Sequence, residues 1–255
     1  MTKPINETPF SPIRGATVPL FPIKLFRGTL PLNHDMVAQS IRNAIEPIRE
    51  SDDNLQTNYT TYFNQEVREE MFKEQWFMDF SDMIKDTYVA WLTDEFGHDF
   101  SNKCRDDIHL FAWANQYHDS NYHESHNHPN TIVSGTYYVK VDQNSQPIKF
   151  YNPNPAASIF GGGRPSDTHY NEFPMTNMHS SGYGETAQEV YVHPTEGEFL
   201  LWPSYMYHSV PFQENTEGTD YERISFSFNL HHKIDVDNNE TGRNLSYDFL
   251  GGQCG

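Results

Sequence analysis

Three histidines, His123, His126 and His128, fall within six residues of the stretch YHESHNHPNTIVSGTYYVKV, residues 122–141. A run that reads as a β-strand follows at once, and side chains two apart on a strand point the same way. His126 and His128 can therefore aim two imidazoles at one point. That convergence suits a borderline ion such as Fe(II), Zn(II) or Ni(II). A histidine-rich surface loop is the plainer account of the same residues. His208, in PSYMYHSV, lies 80 positions beyond His128 in a second strand-like run. Alone it would read as a core histidine in an aromatic strand. Two histidines close in sequence and one distant are a usual way to build a metal site.

Two strand-like runs carry a polar face beside an apolar one. In residues 132–141, Val133, Tyr137, Val139 and Val141 share one side, and Ser134, Thr136, Tyr138 and Lys140 the other. In RISFSFNL, Ile224, Phe226, Phe228 and Leu230 oppose Arg223, Ser225, Ser227 and Asn229. If the polar faces turn inward, the cost of burying them is recovered only by binding something. Arg, Ser and Tyr suit a carboxylate, which arginine holds through two parallel hydrogen bonds. The same alternation also fits an ordinary antiparallel sheet with one wet face.

The elements that must position these residues read as helices first, then about eight short strands. Residues 20–26, LFPIKLF, suggest a first strand, with Pro22 placing it at an edge. Asn33 or Asp35 can cap a helix whose Val37, Ile41, Ala44, Ile45 and Ile48 follow the helical period, and Pro47 should kink or end it. Residues 51–63 look like a polar loop. Residues 64–97 carry the strongest helical signal, through Phe72, Trp76, Phe80, Met83, Tyr88, Trp91 and Leu92. A restart is expected at Ser81 and a stop at Gly97. Strands are expected over 108–117, 132–141, 148–151, 188–193, 198–202, 205–212 and 222–232. Residues 152–187, with glycines 161–163, form a long loop suited to a lid, and His169 and His179 in it read as bystanders. The order implies one α+β domain over 1–255, with an arm and supporting helices over 1–105, a β core over 106–232 and a polar tail over 233–255.

Composition bounds the partners. A net charge of −18 argues against nucleic acid, because phosphate binding wants a basic patch. The two cysteines, Cys104 and Cys254, indicate no disulfide framework and fit a reducing compartment, the cytoplasm. No signal peptide or membrane span is expected.

Together, His126-Asn127-His128, SGTYYV, PSYMYH ending in His208, and RISFSFN from Arg223 resemble the Fe(II)- and 2-oxoglutarate-dependent oxygenases. The resemblance is densest over residues 108–232. Within that superfamily they look like a branch reading H-x-H-P, SGxYYV, W-x-S-x-x-x-H and R-I-S-x-S-F-N. The resemblance implies a double-stranded β-helix, or jelly roll, with N-terminal helices on one face. It implies Fe(II) as metal and 2-oxoglutarate and dioxygen as cosubstrates, consumed in hydroxylating a substrate that the sequence does not name. Carried over by position, His126 and His208 match the iron-binding histidines. Arg223 and Ser225 match the family's R-x-S pattern, Arg223 holding the distal carboxylate of 2-oxoglutarate. Tyr138 falls where related hydroxylases place a tyrosine on that carboxylate, and Asn115 is a further candidate contact. The usual third ligand is Asp or Glu, two positions after the first histidine. Here His128 stands in that position, with Glu124 the alternative and His123 left to the surroundings. A cupin-like three-histidine enzyme without 2-oxoglutarate and a non-catalytic jelly roll remain the competing readings.

Overall fold

A computed structural model describes residues 23–51, 58–100, 105–118, 121–142, 145–153, 178–180, 189–212 and 221–232. β1 (Phe26–Thr29) and α1 (His34–Ser51) are followed by β2 (Tyr59–Thr60), α2 (Gln65–Met71) and α3 (Gln75–Phe96). A 3-10 turn at Arg105–Asp107 leads into β3 (Ile108–Tyr117), β4 (His123–His126), β5 (Val133–Lys140) and β6 (Ile148–Tyr151). Then come β7 (Met178–Ser180), β8 (Glu189–Val192), β9 (Glu198–Pro203), β10 (His208–Val210) and β11 (Arg223–His232).

The strands make two antiparallel sheets, ordered β1-β9-β5-β11-β3-β2 and β4-β10-β6-β8-β7. From β3 to β6, and again from β9 to β11, successive strands alternate between the sheets. That is the winding of a double-stranded β-helix, and the helices lie on one face of its larger sheet. Val37, Ile41 and Ile45 of α1, with Phe80, Ile84 and Tyr88 of α3, pack on Tyr137, Val139, Phe226 and Phe228. Phe80 meets Phe226 and Phe228 edge-on at 5.1 and 5.3 Å. Burying such a ring stabilises the fold by about 1.5–3 kcal/mol. The opposite face of the large sheet builds a second core between the sheets, from Tyr138, Phe150, Leu200 and Trp202. The β5 and β11 strands split across these layers as their alternation predicts, with Tyr137 on the helix side and Tyr138 inside, except that Val141, just past the end of β5, packs with the inner cluster instead.

Local chemistry explains most boundaries. Asn33, rather than Asp35, caps α1, its Oδ1 accepting from the Met36 N–H at 3.1 Å. Asn64 caps α2 by accepting from Val67 N–H at 3.1 Å. Gly97 ends α3 in the left-handed region at φ 69°, which a side chain would strain.

Four expectations need correction. α1 does not end at Pro47 but runs on to Ser51, with the ring on the exposed side and only the last turn beyond it. The break between α2 and α3 falls at residues 72–74 and not at Ser81, because the buried stripe Phe80, Ile84, Tyr88 is continuous there. The first strand starts at Phe26, where pairing to Leu201 begins; residues 20–22 lie outside the described set. β2 and β7 occupy stretches that read as loops. β2 pairs with β3, which polar Tyr59 and Thr60 gave no periodicity to foretell. The lid glycines, His169 and the tail lie outside the described residues. Among the described residues, no helix is long and apolar enough to cross a membrane.

Candidate active site

The smaller sheet sets the first two imidazoles by register. His126 of β4 and His208 of β10 are direct cross-strand partners. His128 lies two residues past the end of β4, and its backbone N–H donates to the Ser204 carbonyl at 3.0 Å. That bond fastens the loop to the turn between β9 and β10. One ring nitrogen from each of His126, His128 and His208 falls within 4.8 Å of the other two.

The free nitrogens face each other because the others are committed. His126 Nδ1–H donates to the Glu124 carbonyl at 2.8 Å, and His208 Nδ1–H to the Met206 carbonyl at 3.0 Å. Each bond fixes the tautomer and leaves Nε2 with its lone pair. Nε2 of His128 is 3.2 Å from Nε2 of His208. Two nitrogens about 2.05 Å from one ion would stand about 2.9 Å apart at a right angle and about 3.4 Å apart in a tetrahedron. The observed gap lies between. Asn229 hydrogen-bonds the His128 ring and accepts from Ser134 Oγ at 2.9 Å. Burial pushes His208 well below the usual imidazole range, lowers His126, and brings His128 down to about 4. All three are therefore neutral near pH 7, the form that binds metal.

Glu124 is exposed and contributes its carbonyl; its carboxylate is not in the cluster. His123 stacks on His126 at 4.1 Å, with Nδ1 3.3 Å from Tyr117 Oη, and burial lowers its pKa to about 3.

Arg223 opens β11 and is 2% exposed. Its Nη1–H donates to the Gln146 carbonyl at 3.0 Å, and the guanidinium lies 5.0 and 5.3 Å from the rings of Tyr117 and Tyr138. Its Nε, the Tyr138 hydroxyl and the Trp202 Nε1 are buried without a hydrogen-bond partner among the described residues. Arg223, Ser225 and the three histidines line one cavity of about 30 Å³. No carboxylate lines it among the described residues. Tyr138 and Asn115 both stand outside that lining: the Tyr138 ring lies behind it against Arg223, and the Asn115 amide donates to Ser227 Oγ at 3.0 Å and accepts from Asn58 at 3.1 Å.

Three contributors escaped sequence reasoning. Trp113 stacks on His128 at 5.7 Å, Trp202 meets His208 edge-on at 5.0 Å, and Asn229 holds His128. Asn229 had a signal, since it continues the polar face of β11. β9 is buried on both faces, so alternation could not say which way Trp202 turns.

Residues 111–229 match the family model described as "Putative 2OG-Fe(II) oxygenase". That match spans a little under half of the 255-residue chain. No curated protein matches it. Among solved structures, the chain is similar to a prolyl-4-hydroxylase from Pseudomonas putida, at 10% identity and TM-score 0.47, covering 83% of this chain and 89% of that one. It is similar to the epimerase SnoN from nogalamycin biosynthesis, at 12% identity and TM-score 0.46, covering 83% and 77%. It is also similar to HygX from Streptomyces hygroscopicus, solved with nickel and 2-oxoglutarate, at 12% identity and TM-score 0.43, covering 82% and 83%.

The matched family is one described by Fe(II) and 2-oxoglutarate. The donor set fits both groups: three neutral imidazoles for the ion, and an unpaired guanidinium with free hydroxyl and indole donors for an anion.

Proposed function

We propose that this protein is an Fe(II)- and 2-oxoglutarate-dependent oxygenase, a hydroxylase holding Fe(II) through Nε2 of His126, His128 and His208. Arg223 and the Tyr138 hydroxyl receive the distal carboxylate of 2-oxoglutarate, with Ser225 beside them. Asn115 supports the wall through Ser227 rather than touching the cosubstrate. Bound iron and 2-oxoglutarate together supply the activation of dioxygen, with succinate and carbon dioxide as coproducts.

One observation carries the assignment. The cavity holds a buried, incompletely bonded guanidinium beside a three-histidine cluster, with no acid in its lining among the described residues. An ion held by neutral imidazoles keeps both its positive charges, and Arg223 adds a third. Such a site calls for a dianion, because uncompensated buried charge is costly. A usual carboxylate ligand would have cancelled one charge; with His128 in its place, the dicarboxylate must supply the compensation. The surroundings keep the ligands neutral, oriented and away from bulk water.

The three-histidine set is also what a cosubstrate-free metalloenzyme would use, and Arg223 separates the two readings. The test is anaerobic titration of the Fe(II)-loaded protein with 2-oxoglutarate, watching for the visible charge-transfer absorption of the chelate. Absorption that saturates, and is lost in Arg223→Ala, supports the proposal. Iron retained with no absorption and no 2-oxoglutarate binding would transfer the assignment to the cosubstrate-free reading.

A further inference from the structure

Beyond the metal, the inner face of the large sheet continues into a wall of aromatic rings. Trp113, already stacked on His128, is met edge-on by Tyr62 at 5.1 Å. Tyr62 also meets Phe111 at 5.6 Å and Phe63 at 5.0 Å, each nearly perpendicular. Phe63 is 85% exposed and Tyr62 40% exposed, so the outer half of this cluster faces solvent. An apolar ledge of this kind, joined to a reaction site, is a docking surface by its chemistry.

A cation stands on the ledge. The Arg68 guanidinium lies 4.9 Å above the Phe111 ring. Its Nη1 donates to the Thr61 carbonyl at 2.9 Å and to the Tyr62 carbonyl, which pins the residues carrying the exposed rings. Arg27, Arg42, Arg49 and Arg105 each have a carboxylate in ion-pair contact. Arg68 has none among the described residues, although the field of Glu69 reaches it. In a chain of net charge −18, a partly buried arginine left without an acid beside exposed rings is a selective feature. Aromatic faces hold flat rings, and the guanidinium fork holds a carboxylate or phosphate.

We infer that the ledge of Tyr62, Phe63 and Phe111, with Arg68, docks the substrate to be oxidised, a small molecule joining a flat ring to an anionic group. This rests on the assignment of an oxygenase site at the three histidines. The ring lies along Phe63 and Tyr62, the anion meets Arg68, and the remainder reaches past Trp113 toward the metal. The net negative charge of the chain opposes a polynucleotide as the bearer of that anion.

The test uses the full chain loaded with redox-inert Ni(II) and saturated with 2-oxoglutarate, so that the inner cavity is filled. Phenylacetate, phenyl phosphate, cyclohexylacetate and benzyl alcohol are then titrated by saturation-transfer NMR. The ring anions should bind at least about 5-fold tighter than benzyl alcohol or cyclohexylacetate, the scale of one exposed ion pair or one stacking contact. Comparison of the first two probes tells carboxylate from phosphate. Phe63→Ser, at an exposed position that does not support the core, should weaken the ring anions by about the same factor while 2-oxoglutarate affinity stays unchanged. Arg68→Gln, which keeps donors for the two carbonyls, should abolish the preference for anion over alcohol. Equal binding of benzyl alcohol, indifference to Phe63→Ser, or displacement of the probes by 2-oxoglutarate would each overturn the inference. Failure of 2-oxoglutarate itself to bind would instead overturn the cosubstrate assignment. The probes would then be read on Arg223→Met protein, where binding that needs Phe63 and Arg68 supports the ledge and its absence overturns it.

Discussion

Replacing Arg223 with methionine separates a binding arginine from a structural one, because the two roles predict opposite balances of stability and affinity. In the protein without cosubstrate, the guanidinium gains two ring contacts, at 5.0 and 5.3 Å, and one carbonyl acceptor at 3.0 Å. The rings contribute about 1 kcal/mol each and the charged hydrogen bond about 1.5–3 kcal/mol, roughly 4 kcal/mol in all. Against this stands a desolvation cost of several kcal/mol for a buried cation, here with Nε left unbonded. The terms nearly cancel, so Arg223→Met should change stability by no more than about 1 kcal/mol. For a chain of this size that is a Tm shift within about 4 °C. Affinity for 2-oxoglutarate should behave differently. Truncating one partner of a buried charged pair costs about 2–5 kcal/mol, so Kd should rise roughly 30- to 5,000-fold. Differential scanning fluorimetry on metal-free protein and calorimetric titration of the Ni(II) form with 2-oxoglutarate read the two numbers. If Arg223 were one half of a structural ion pair, its loss would cost about 3–5 kcal/mol, and Tm would fall by roughly 10 °C or more. Such a fall, or an unchanged Kd, would refute the reasoning.

Other perturbations probe the remaining parts of the site. Trp202→Phe keeps the ring beside His208 but removes the unpartnered indole donor; 2-oxoglutarate affinity measured by the same titration should drop about 10-fold, with metal affinity unchanged. Gly135→Ala should destabilise the fold by about 3 kcal/mol in urea unfolding, since an added Cβ would meet the Phe228 ring and stand 2.6 Å from the Leu200 carbonyl oxygen. In metal-free protein, NMR titration should find the rings of His123 and His128 neutral down to about pH 5, with midpoints near 3 and 4. Both folded values lie below the unfolded value of about 6.5, so this contribution to stability is complete above pH 6.5 and is lost as pH falls through 4 and 3. A midpoint near 6.5 for either ring would contradict the burial assigned to it.

Sequence patterning alone carried the arrangement of the core. The two-residue alternation of RISFSFNL separates Phe226 and Phe228, which pack under the helices, from Arg223 and Ser225, which line the cavity. The 3.6-residue stripe through Trp76, Phe80 and Tyr88 marks the helix that covers them. His126 and His128, two apart, and the distant His208 were nameable because residue type and spacing are written in the chain. What spacing could not decide is whether Glu124 or His128 turns toward His208. Both are two residues from His126, and only the His128-to-Ser204 backbone bond and the Glu124 carbonyl's capture of His126 Nδ1–H distinguish them. The ladders between β3, β11 and β5 likewise bring Asn229 beside Ser134 across 95 residues of chain, and the His128 ring is bonded to Asn229 there. A one-dimensional pattern records which side of a strand a residue takes. Which distant strand that side faces is fixed by strand pairing, and the absence of an acid from the cavity around Arg223 among the described residues becomes visible only once those strands enclose it.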